Sequence, residues 1–402
     1  MISYPKKRYA FVVPRFGESA GGAETLMAQL AQRLACRGDH VEIFSTCALD
    51  NRTWENYFPP GVSKELGLTV HRFLVNPRNL EAWIPRQIQI SEGMNIGVAD
   101  ELIWMEESVN STALYEHIKN EAQHFTSVIF GPYLFGTTFW GSLIHPSNSV
   151  LLPCLHDEHY AYTQVISSMF RQVKGCLFNA GPEADLARAL YGKISGGEVG
   201  LGFEPLDSEY VKMLSPYFKD TFPYILYVGR KETGKNVQLL VDYFIGAKSE
   251  LPTDLKLVIV GGGSFSDLHR PDALKRGDII DLSHVTEEKK RRLIRHSSLL
   301  CQPSVNESFS IVLMEAWLLE RPVLVHASSP VTRYHAVSSG GGLYFGSQSD
   351  FTAVAKTIVE DPSLQEKLGK WGRSYVEERY RWDVVLTRFD SVMESIFQTE
   401  AV

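Results

Sequence analysis

The chain has 402 residues, which is long enough for two domains that each bury a full core. Its composition, 44% hydrophobic and 22% charged, is that of an ordinary globular protein, and the net charge of −7 divides almost evenly, −4 over residues 1–200 and −3 over the rest. Because neither half is basic, the charge argues against nucleic acid as a partner, and contact with a membrane would need a local patch.

The cysteines and the apolar segments indicate where such a chain would reside. Five cysteines are scattered without a Cys-x-x-Cys pair, mostly in apolar runs, which predicts buried thiols in a reducing compartment. Met1–Arg8 is basic but leads directly into a strand, without the apolar core and cleavage site of a signal peptide. Phe125–Leu155 lacks Lys, Arg, Asp and Glu, yet Gly131-Pro132 and later turn residues divide it, so we expect a buried core there and treat a membrane-lodged segment as the less favoured alternative. A cytoplasmic protein is expected, with at most peripheral contact at the inner face of the membrane.

Strand and helix patterns alternate from the N-terminus. Tyr9–Pro14 is predicted as the first strand, followed by the glycine-rich stretch Arg15–Glu24 and the helix Thr25–Arg37. The backbone amides of such a loop can approach a phosphate, although paired glycines such as Gly21-Gly22 also occur in ordinary turns. The stretch is not the G-x-G-x-x-G fingerprint, which argues against a dehydrogenase.

The first half continues with further strands and one clear histidine candidate. Asp50–Pro60 and Asn76–Gln89 are interpreted as polar, aromatic-rich loops or short helices. His156 follows a predicted strand, and a histidine at the carboxyl end of a parallel strand is placed to serve a ligand, although a structural histidine is the alternative. His159 is a weaker candidate, and a metal held by His156, Asp157 and His159 is the least favoured interpretation, because no further ligand is evident. The remaining predicted elements of this half are the strands His40–Thr46, Thr69–Phe73, Phe125–Phe130, Val150–Cys154 and Gly175–Asn179 and the helix Glu183–Tyr191.

A polar, irregular run that follows Val199–Pro205 and extends to Phe222 predicts a domain boundary. The alternation then starts again with the strand Tyr224–Val228 and the basic glycine loop Gly229–Asn236. Its arginine and lysine suit a diphosphate, because a guanidinium can clamp two oxygens and an ammonium supplies a compact charge. A solvated turn with ordinary surface charges is the alternative.

The rest of the second half repeats the same pattern. The predicted strands are Leu257–Val260, Ile279–Leu282, Leu299–Cys301, Val323–Val325 and Leu343–Phe345. The predicted helices are Val237–Ser249, Glu287–His296, Phe351–Glu360, Pro362–Glu377 and the amphipathic Val384–Phe397. Two α/β domains are therefore expected.

Two glutamates stand out in the stretch Gln302–Ala327. A polar turn follows a buried strand there, and a helix is predicted from near Phe309 to just before Pro322. Glu307 precedes the helix, and Glu315 lies inside it within an almost wholly apolar run. Two glutamates eight apart are common on solvated helices, but a carboxylate within an apolar run needs a partner.

The segment with seven residues between Glu307 and Glu315 resembles the motif of retaining glycosyltransferases of family 4, the glycosyl transferases group 1. Gly229–Asn236 resembles the Gly-Arg…Lys-Gly element of that family, with the glycine and lysine in the order Gly234-Lys235. The chain has Ser308-Phe309-Ser310 where the family usually has Gly-Phe-Gly, and Glu320-Arg321 where a glycine is usual before Pro-Val.

The resemblance implies the GT-B fold, an α/β architecture of two Rossmann-like, doubly wound domains that face each other across a cleft. It implies an acceptor-side domain of residues 1–203, a nucleotide-sugar-binding domain of residues 204–383, and a C-terminal helix, residues 384–402, that crosses back to the first domain.

The resemblance also implies roles for single residues. Arg230, Lys235 and the amides of Phe309 and Ser310 are expected to bind a diphosphate, Glu307 the donor sugar and Glu315 the ribose hydroxyls. The residues expected to serve catalysis are His156, Arg230, Lys235 and Glu307. The residues expected to bind the donor are Gly21, Gly22, Arg230, Lys235, Glu307, Phe309, Ser310 and Glu315.

The expected function is transfer of a hexose-type sugar, with retention, from a nucleotide-diphosphate sugar to a hydroxyl of a glycan, lipid-linked or small-molecule acceptor. Bacterial surface polysaccharide or glycolipid synthesis is the expected setting. No cofactor is expected, and no metal, because the chain lacks an Asp-x-Asp triad. The alternatives are a nucleotide-sugar epimerase or synthase on the same fold and a non-catalytic, glycosyltransferase-like binding subunit. A glycosidase would leave the basic loop unexplained.

Overall fold

The computed structural model describes residues 6–17 and 21–398. Within them the chain forms two compact units: residues up to Gly202 together with those from Val385 on, and residues Phe203–Val384. Each unit has a largely parallel sheet with helices between its strands. Glu18, Ser19 and Ala20 of the predicted glycine-rich stretch lie outside the described residues.

The first unit is built around a sheet to which the described residues contribute eight strands. The strands are β1 (Arg8–Val13), β2 (His40–Thr46), β3 (Gly61–Glu65), β4 (Leu68–Phe73), β5 (Ser127–Phe130), β6 (Ser149–Leu151), β7 (Gly175–Phe178) and β8 (Gly196–Glu198). Their order across the sheet is β3-β4-β2-β1-β5-β6-β7-β8. All neighbouring strands run parallel except the pair β3 and β4. The carboxyl ends of β1, β5 and β6 therefore lie on the same side of the sheet, and the loops that follow them leave from that side.

Helices cover this sheet and close its core. They are α1 (Gly22–Arg37), α2 (Leu80–Ser91), α3 (Val98–Glu106), α4 (Thr112–Glu121), α5 (Gly136–Ser142), α6 (Gln164–Gln172) and α7 (Gly181–Tyr191). Fully buried aromatic side chains such as Phe44, Phe130 and Phe170 lie in one apolar cluster. The charge-free stretch thus supplies core strands and the short helix α5, as predicted, and in the described part of the chain no helix is long and apolar enough to cross a membrane.

The edge strand β3 was not predicted. It pairs antiparallel with β4 and exposes nearly all of its side chains, so it has no buried face and no hydrophobic alternation that a sequence pattern could reveal. Four of the five cysteines are buried free thiols, as predicted, whereas Cys36 is exposed.

The second unit has a parallel sheet of six strands in the part of the chain that the structure describes. The strands are β9 (Tyr224–Val228), β10 (Lys256–Val260), β11 (Ile279–Asp281), β12 (Leu299–Gln302), β13 (Val323–His326) and β14 (Gly342–Phe345). Their order is β11-β10-β9-β12-β13-β14, so the direction of winding reverses between β9 and β12. This is the doubly wound arrangement expected for a Rossmann-like domain, and the predicted fold class is confirmed.

The helices of the second half begin with a short one in the run that was predicted to be irregular. They are α8 (Ser208–Met213), α9 (Val237–Ala247), α10 (Glu287–His296), α11 (Ile311–Leu318), α12 (Pro330–Ser339), α13 (Gln348–Glu360), α14 (Pro362–Arg379) and α15 (Trp382–Gln398). The residues of α15 from Val385 on belong to the first unit. There, the ring of Phe389 meets that of Tyr9 edge-on at 5.5 Å, and Asp390 accepts a hydrogen bond of 2.6 Å from Arg37.

Close packing against α14 fixes the helix that carries Glu315. Trp317 of α11 is fully buried, and its indole N–H donates to the carbonyl of Gly341 at 2.9 Å. A Cβ on Gly372 of α14 would lie 2.0 Å from Cδ1 of Trp317, so only glycine allows this approach. The position of α11, and with it that of Glu315, therefore depends on a contact between two helices.

Candidate active site

The reversal of strand order in the second unit marks where a ligand is expected to bind. In open α/β sheets, ligands bind beyond the carboxyl ends of the strands where the winding changes direction. The loops that leave there are residues 229–236, after β9, and residues 303–310, after β12. Asn236 Nδ2 donates to the carbonyl of Pro303 at 3.2 Å and so joins the two loops. Asn236 has φ of 58°, a left-handed conformation that asparagine tolerates and that turns the chain into α9.

Lys235 and Glu307, one from each loop, form an ion pair with 2.8 Å between Nζ and Oε1. The Glu307 side chain is 10% exposed and that of Lys235 28%. Within the described residues, no hydrogen bond reaches the second carboxylate oxygen of Glu307. The structure thus brings together two of the predicted site residues and leaves one carboxylate oxygen and part of an ammonium group accessible to a ligand.

Arg230 lies on the same loop, but its side chain points into solvent. It is 60% exposed and pairs with Glu232 at 3.1 Å, so it is not part of the Lys235–Glu307 pair. Its backbone carbonyl accepts a hydrogen bond of 2.9 Å from the hydroxyl of Tyr227, which fixes the loop while the guanidinium is held only by a surface ion pair.

The neighbouring Lys231 is a basic residue of a different kind, and it was not among the predicted site residues. Its side chain is fully buried, and Nζ donates to the carbonyl of Gly261 and to Asp281, the latter at 3.0 Å. Lys231 therefore anchors the loop after β9 to the ends of β10 and β11. Nothing in the local pattern distinguishes it from the other basic residues of the loop.

Phe309 fixes the loop after β12. It is 2% exposed, its ring stacks on that of Phe203 at 6.2 Å, and it meets the rings of His335 and Tyr380 edge-on at 5.4 and 5.3 Å. Burial lowers the pKa of His335 to about 3, so this imidazole is neutral and acts as an aromatic wall. The aromatic side chain that lies within the glutamate motif is thus an anchor, which leaves the backbone to face a ligand.

The helix predicted from near Phe309 in fact begins at Ile311. Ser310 has φ of 69°, which is incompatible with a right-handed helix, so the chain turns sharply before α11 starts. In the part of the chain that the structure describes, no protein acceptor binds the amides of Phe309 and Ser310, and the buried hydroxyl of Ser310 has no partner. Unpaired amides at the start of a helix form a potential anion site.

Glu315 lies in α11 and is paired, as an acidic side chain in an apolar run requires. Its partner is Lys290 of α10, with 2.8 Å between Nζ and Oε1. Burial raises the pKa of Glu315, and the ammonium of Lys290 counteracts this only in part. Burial also acts to lower the pKa of Lys290, but Glu315 and Glu287 outweigh it and the pKa is raised. The sequence required a partner for Glu315 but gave no sign of which residue it would be.

In the first unit, Gly21 and Gly22 lie at the start of α1, beyond the carboxyl end of β1. Gly21 is the N-cap, and no described heavy atom lies within 4 Å of the position that a Cβ on Gly22 would occupy. Arg15 and Glu24 form a buried ion pair of 2.8 Å beside this turn. The glycine turn is therefore held by a buried pair, while among the described residues the space that a side chain at Gly22 would occupy is open.

His156 lies two strands away at the same edge, in the loop after β6. Its Nδ1 is 3.5 Å from Oε1 of Glu158, which also accepts a hydrogen bond of 2.8 Å from Tyr133. Glu183 of α7 fixes this loop. Its fully buried carboxylate accepts hydrogen bonds from the backbone amides of Leu155 and Asn179 at 2.6 and 2.5 Å. Burial raises the pKa of Glu183 to about 8. Glu183 was not identified from the sequence, where it is an ordinary acidic residue in the first turn of a helix.

His159 does not join His156. It lines a separate cavity of about 310 Å³ with Met94, Glu101 and Tyr162, among others. The weaker possibility of a metal held by His156, Asp157 and His159 finds no support, because no group of three or more metal-ligating side chains is suitably arranged among residues 6–17 and 21–398.

The match to a known protein family lies within the second unit. Residues 215–375 match the family described as glycosyl transferases group 1. A relative, the capsular polysaccharide biosynthesis glycosyltransferase CapM from Staphylococcus aureus, is 26% identical over 219 residues, or 50% of this chain and 54% of CapM. The chain spans about half the length, or less, of the first curated relatives that it matches.

Solved structures resemble nearly the whole chain. Sucrose-phosphate synthase from Thermosynechococcus elongatus has a TM-score of 0.71 at 18% identity, covering 98% of this chain and 100% of its own. HepE from Anabaena, solved in complex with UDP-glucose, has a TM-score of 0.66 at 14% identity, with coverage of 98% and 100%. At these identities the likeness shows the fold alone. With the doubly wound sheet of each unit, it shows that the chain has the GT-B fold, and residues 215–375 of that chain match the glycosyl transferases group 1.

Proposed function

We propose that the chain is a retaining, metal-independent glycosyltransferase that moves a hexose-type sugar from a nucleoside-diphosphate sugar to a hydroxyl group. The observation that carries this proposal is the Lys235–Glu307 pair, which joins the two loops at the switch point of the second sheet. The match of residues 215–375 to glycosyl transferases group 1 supports it. The complex of the structural neighbour HepE with UDP-glucose supports a sugar nucleotide as the donor.

The second unit is proposed to stabilise the leaving diphosphate. Lys235 supplies a partly exposed ammonium, and the unpaired amides of Phe309 and Ser310 supply donors that are already oriented. Such groups lower the barrier because they favour the charge that grows as the glycosidic bond breaks. Arg230 would add a guanidinium after it leaves its surface pair with Glu232, a pair of a type that contributes little stability.

The two glutamates are proposed to hold sugars rather than to act as nucleophiles. Glu307 accepts from Lys235 with one oxygen, so its second oxygen can accept from the hydroxyls of the transferred sugar. Glu315 can serve the ribose hydroxyls in the same way. In the first unit, His156 is assigned to position the transferred sugar, and the backbone at Gly21 and Gly22 to contact the donor.

The proposed reaction is a front-face substitution. The acceptor oxygen forms a bond to the anomeric carbon as the bond from that carbon to the diphosphate oxygen breaks. The bonding electrons pass to the diphosphate, and one of its oxygens takes the acceptor proton. The chain has no Asp-x-Asp triad to hold a divalent ion against the diphosphate, and cationic and amide groups take that part in this proposal.

The acceptor is proposed to be a glycan, a glycolipid or a small sugar phosphate. CapM is named for capsular polysaccharide biosynthesis, and the structural neighbour from Thermosynechococcus is a sucrose-phosphate synthase. Synthesis of a surface polysaccharide or glycolipid, at the inner face of a membrane, is the setting that we favour.

The test has two stages. First, UDP-, GDP- and ADP-sugars are screened for a rise in melting temperature, because a ligand that binds the folded protein stabilises it by mass action. Second, the stabilising donor is incubated with sugar phosphates, oligosaccharides and lipid-linked sugars, and the anomeric configuration of the product is determined. A new glycoside with the configuration of the donor is expected. Conversion of the donor sugar without any acceptor would indicate an epimerase instead, and binding without turnover would indicate a non-catalytic subunit.

A further inference from the structure

Lys290 does not belong to either loop of the candidate site, but its ammonium group forms an ion pair with Glu315, which is one of the predicted site residues. It lies in α10, between β11 and β12, and its side chain is 16% exposed. Its Nζ lies 2.8 Å from Oε1 of Glu315 and 2.9 Å from Oε1 of Glu287. The Glu287 side chain is 73% exposed and that of Glu315 24%, so Lys290 connects a solvent-facing carboxylate to a largely enclosed one.

Few other charges act on Glu315. From α10 it experiences Lys290, Glu287 and, more weakly, Arg291. On α14, the helix packed against α11, Arg373 is engaged by Glu320 and Glu377 at 3.2 and 2.8 Å. On β12 the neighbouring ionisable group is Cys301, a buried thiol. Lys290 is therefore the cation that compensates the charge of Glu315.

We propose that Lys290 is a positioning residue for donor recognition, which holds Glu315 as an oriented carboxylate so that its second oxygen binds the ribose hydroxyls of the nucleotide. In the described part of the chain no hydrogen bond reaches Oε2 of Glu315, while Oε1 is occupied by Lys290. This inference rests on the proposed function, because it needs a ribonucleotide at the start of α11.

The physical reason is the state of a carboxylate that is largely removed from water. Without a nearby cation such a group takes up a proton, since burial disfavours its charged form. A protonated acid has one fewer acceptor for the two ribose hydroxyls, and its hydrogen bonds are weaker than those of a carboxylate. The loss of one hydrogen bond to a charged group corresponds to roughly a tenfold to hundredfold weaker binding.

The experiment uses the full chain and whichever of UDP, GDP or ADP raises the melting temperature of the parent most. The dissociation constants of that ribonucleotide and of its 2′,3′-dideoxy analogue are measured by calorimetry for the parent, Lys290→Met, Lys290→Arg, Glu315→Gln and Glu287→Gln. Glu287→Gln is the matched control, because it removes the exposed partner of Lys290 and leaves the pair with Glu315. Lys290→Met/Glu315→Gln serves as a second variant that leaves no uncompensated charge, should Lys290→Met fold poorly.

Lys290→Met is expected to bind the ribonucleotide about tenfold or more weakly than the parent and the dideoxy analogue about as well as the parent does. Lys290→Arg should restore most of the affinity, and Glu287→Gln should bind like the parent. As pH falls, the affinity of Lys290→Met for the ribonucleotide should decline at a higher pH than that of the parent, because its Glu315 protonates more readily. The double variant should bind like Glu315→Gln alone.

Three outcomes would overturn the inference. An equal loss of affinity for both nucleotides would mean that Lys290 contacts the phosphates or the base directly. Unchanged affinity in Lys290→Met would mean that Glu315 does not depend on it. Absence of any discrimination between the two nucleotides by the parent would remove Glu315 from the ribose. If none of the three nucleotides binds the parent at all, the proposed function fails instead, and the two failures are thereby distinguished.

Discussion

The buried carboxylate of Glu183 accepts a hydrogen bond of 2.6 Å from the amide of Leu155, the residue that precedes His156. Its second oxygen accepts from the amide of Asn179 at 2.5 Å, at the end of the neighbouring strand β7. A single acidic side chain of α7 thus ties the loop after β6, beside the candidate histidine, to the end of the adjacent strand β7. The side chain of Glu183 is fully buried, and this burial raises its pKa to about 8.

The raised pKa of Glu183 predicts a pH-dependent stability. Between its ordinary value of 4.5 and about 8, the folded protein retains a proton that the unfolded chain has lost, so the free energy of unfolding falls as pH rises through this window. Glu183→Gln is uncharged at every pH and lacks this contribution. We expect the stability of the parent, measured by thermal or urea unfolding from pH 5 to pH 8, to fall relative to that of the variant by a few kcal/mol. Parallel profiles would show that Glu183 is ionised in the folded protein.

Lys235→Ala should lower the turnover number by about 10²–10³-fold, because it removes a cation that is expected to stabilise the leaving diphosphate in the transition state. The measurement is the initial rate of sugar transfer at saturating donor and acceptor. Lys212→Ala is the matched control, since Lys212 is an exposed lysine of the same unit that pairs with its neighbour Glu209 on α8. Equal rates for Lys235→Ala and the parent would remove Lys235 from the site.

The sequence predicts this fold well where local signals agree. The bounds of β9 and α10 match the prediction at both ends. At α10 the side chain of Thr286 accepts from the amide of Lys289, a capping pattern that is visible in the sequence. The start of the helix after Glu307 was misplaced by two residues, because a left-handed Ser310 is a backbone property that the residue type does not announce.

The partners within the candidate site were not predictable in the same way. Glu315 needs a cation by a general argument, but Lys290 is 25 residues away and on another helix. Glu183 is 28 residues from Leu155, and the two meet only because β6 and β7 are neighbours in the sheet. Such pairs are set by topology, whereas a motif records only residues that are close along the chain.

Ser310→Gly should stabilise the second unit. A residue with a Cβ is strained at φ of 69°, whereas glycine adopts this conformation without penalty, and the substitution also removes a buried hydroxyl without a partner. We expect a gain of about 1 kcal/mol in the free energy of unfolding, measured by urea denaturation. Ser310→Ala is the control, since it removes the hydroxyl but keeps the Cβ. If both variants are equally stable, the backbone conformation contributes no strain.

Gly372→Ala should destabilise the second unit and weaken nucleotide binding in consequence. The added Cβ would lie 2.0 Å from Cδ1 of Trp317, and the fully buried indole cannot move aside without losing its hydrogen bond to Gly341. Overpacking of this kind costs about 1–3 kcal/mol or more, and here the strain falls on the helix that carries Glu315. Gly234→Ala is the stability control, because no described heavy atom beyond its chain neighbours lies within 4 Å of its added Cβ. Thermal unfolding should show a lower melting temperature for Gly372→Ala and little change for Gly234→Ala.

An unchanged melting temperature for Gly372→Ala would mean that α11 and α14 can separate without cost, and the close approach of Trp317 would then not fix Glu315.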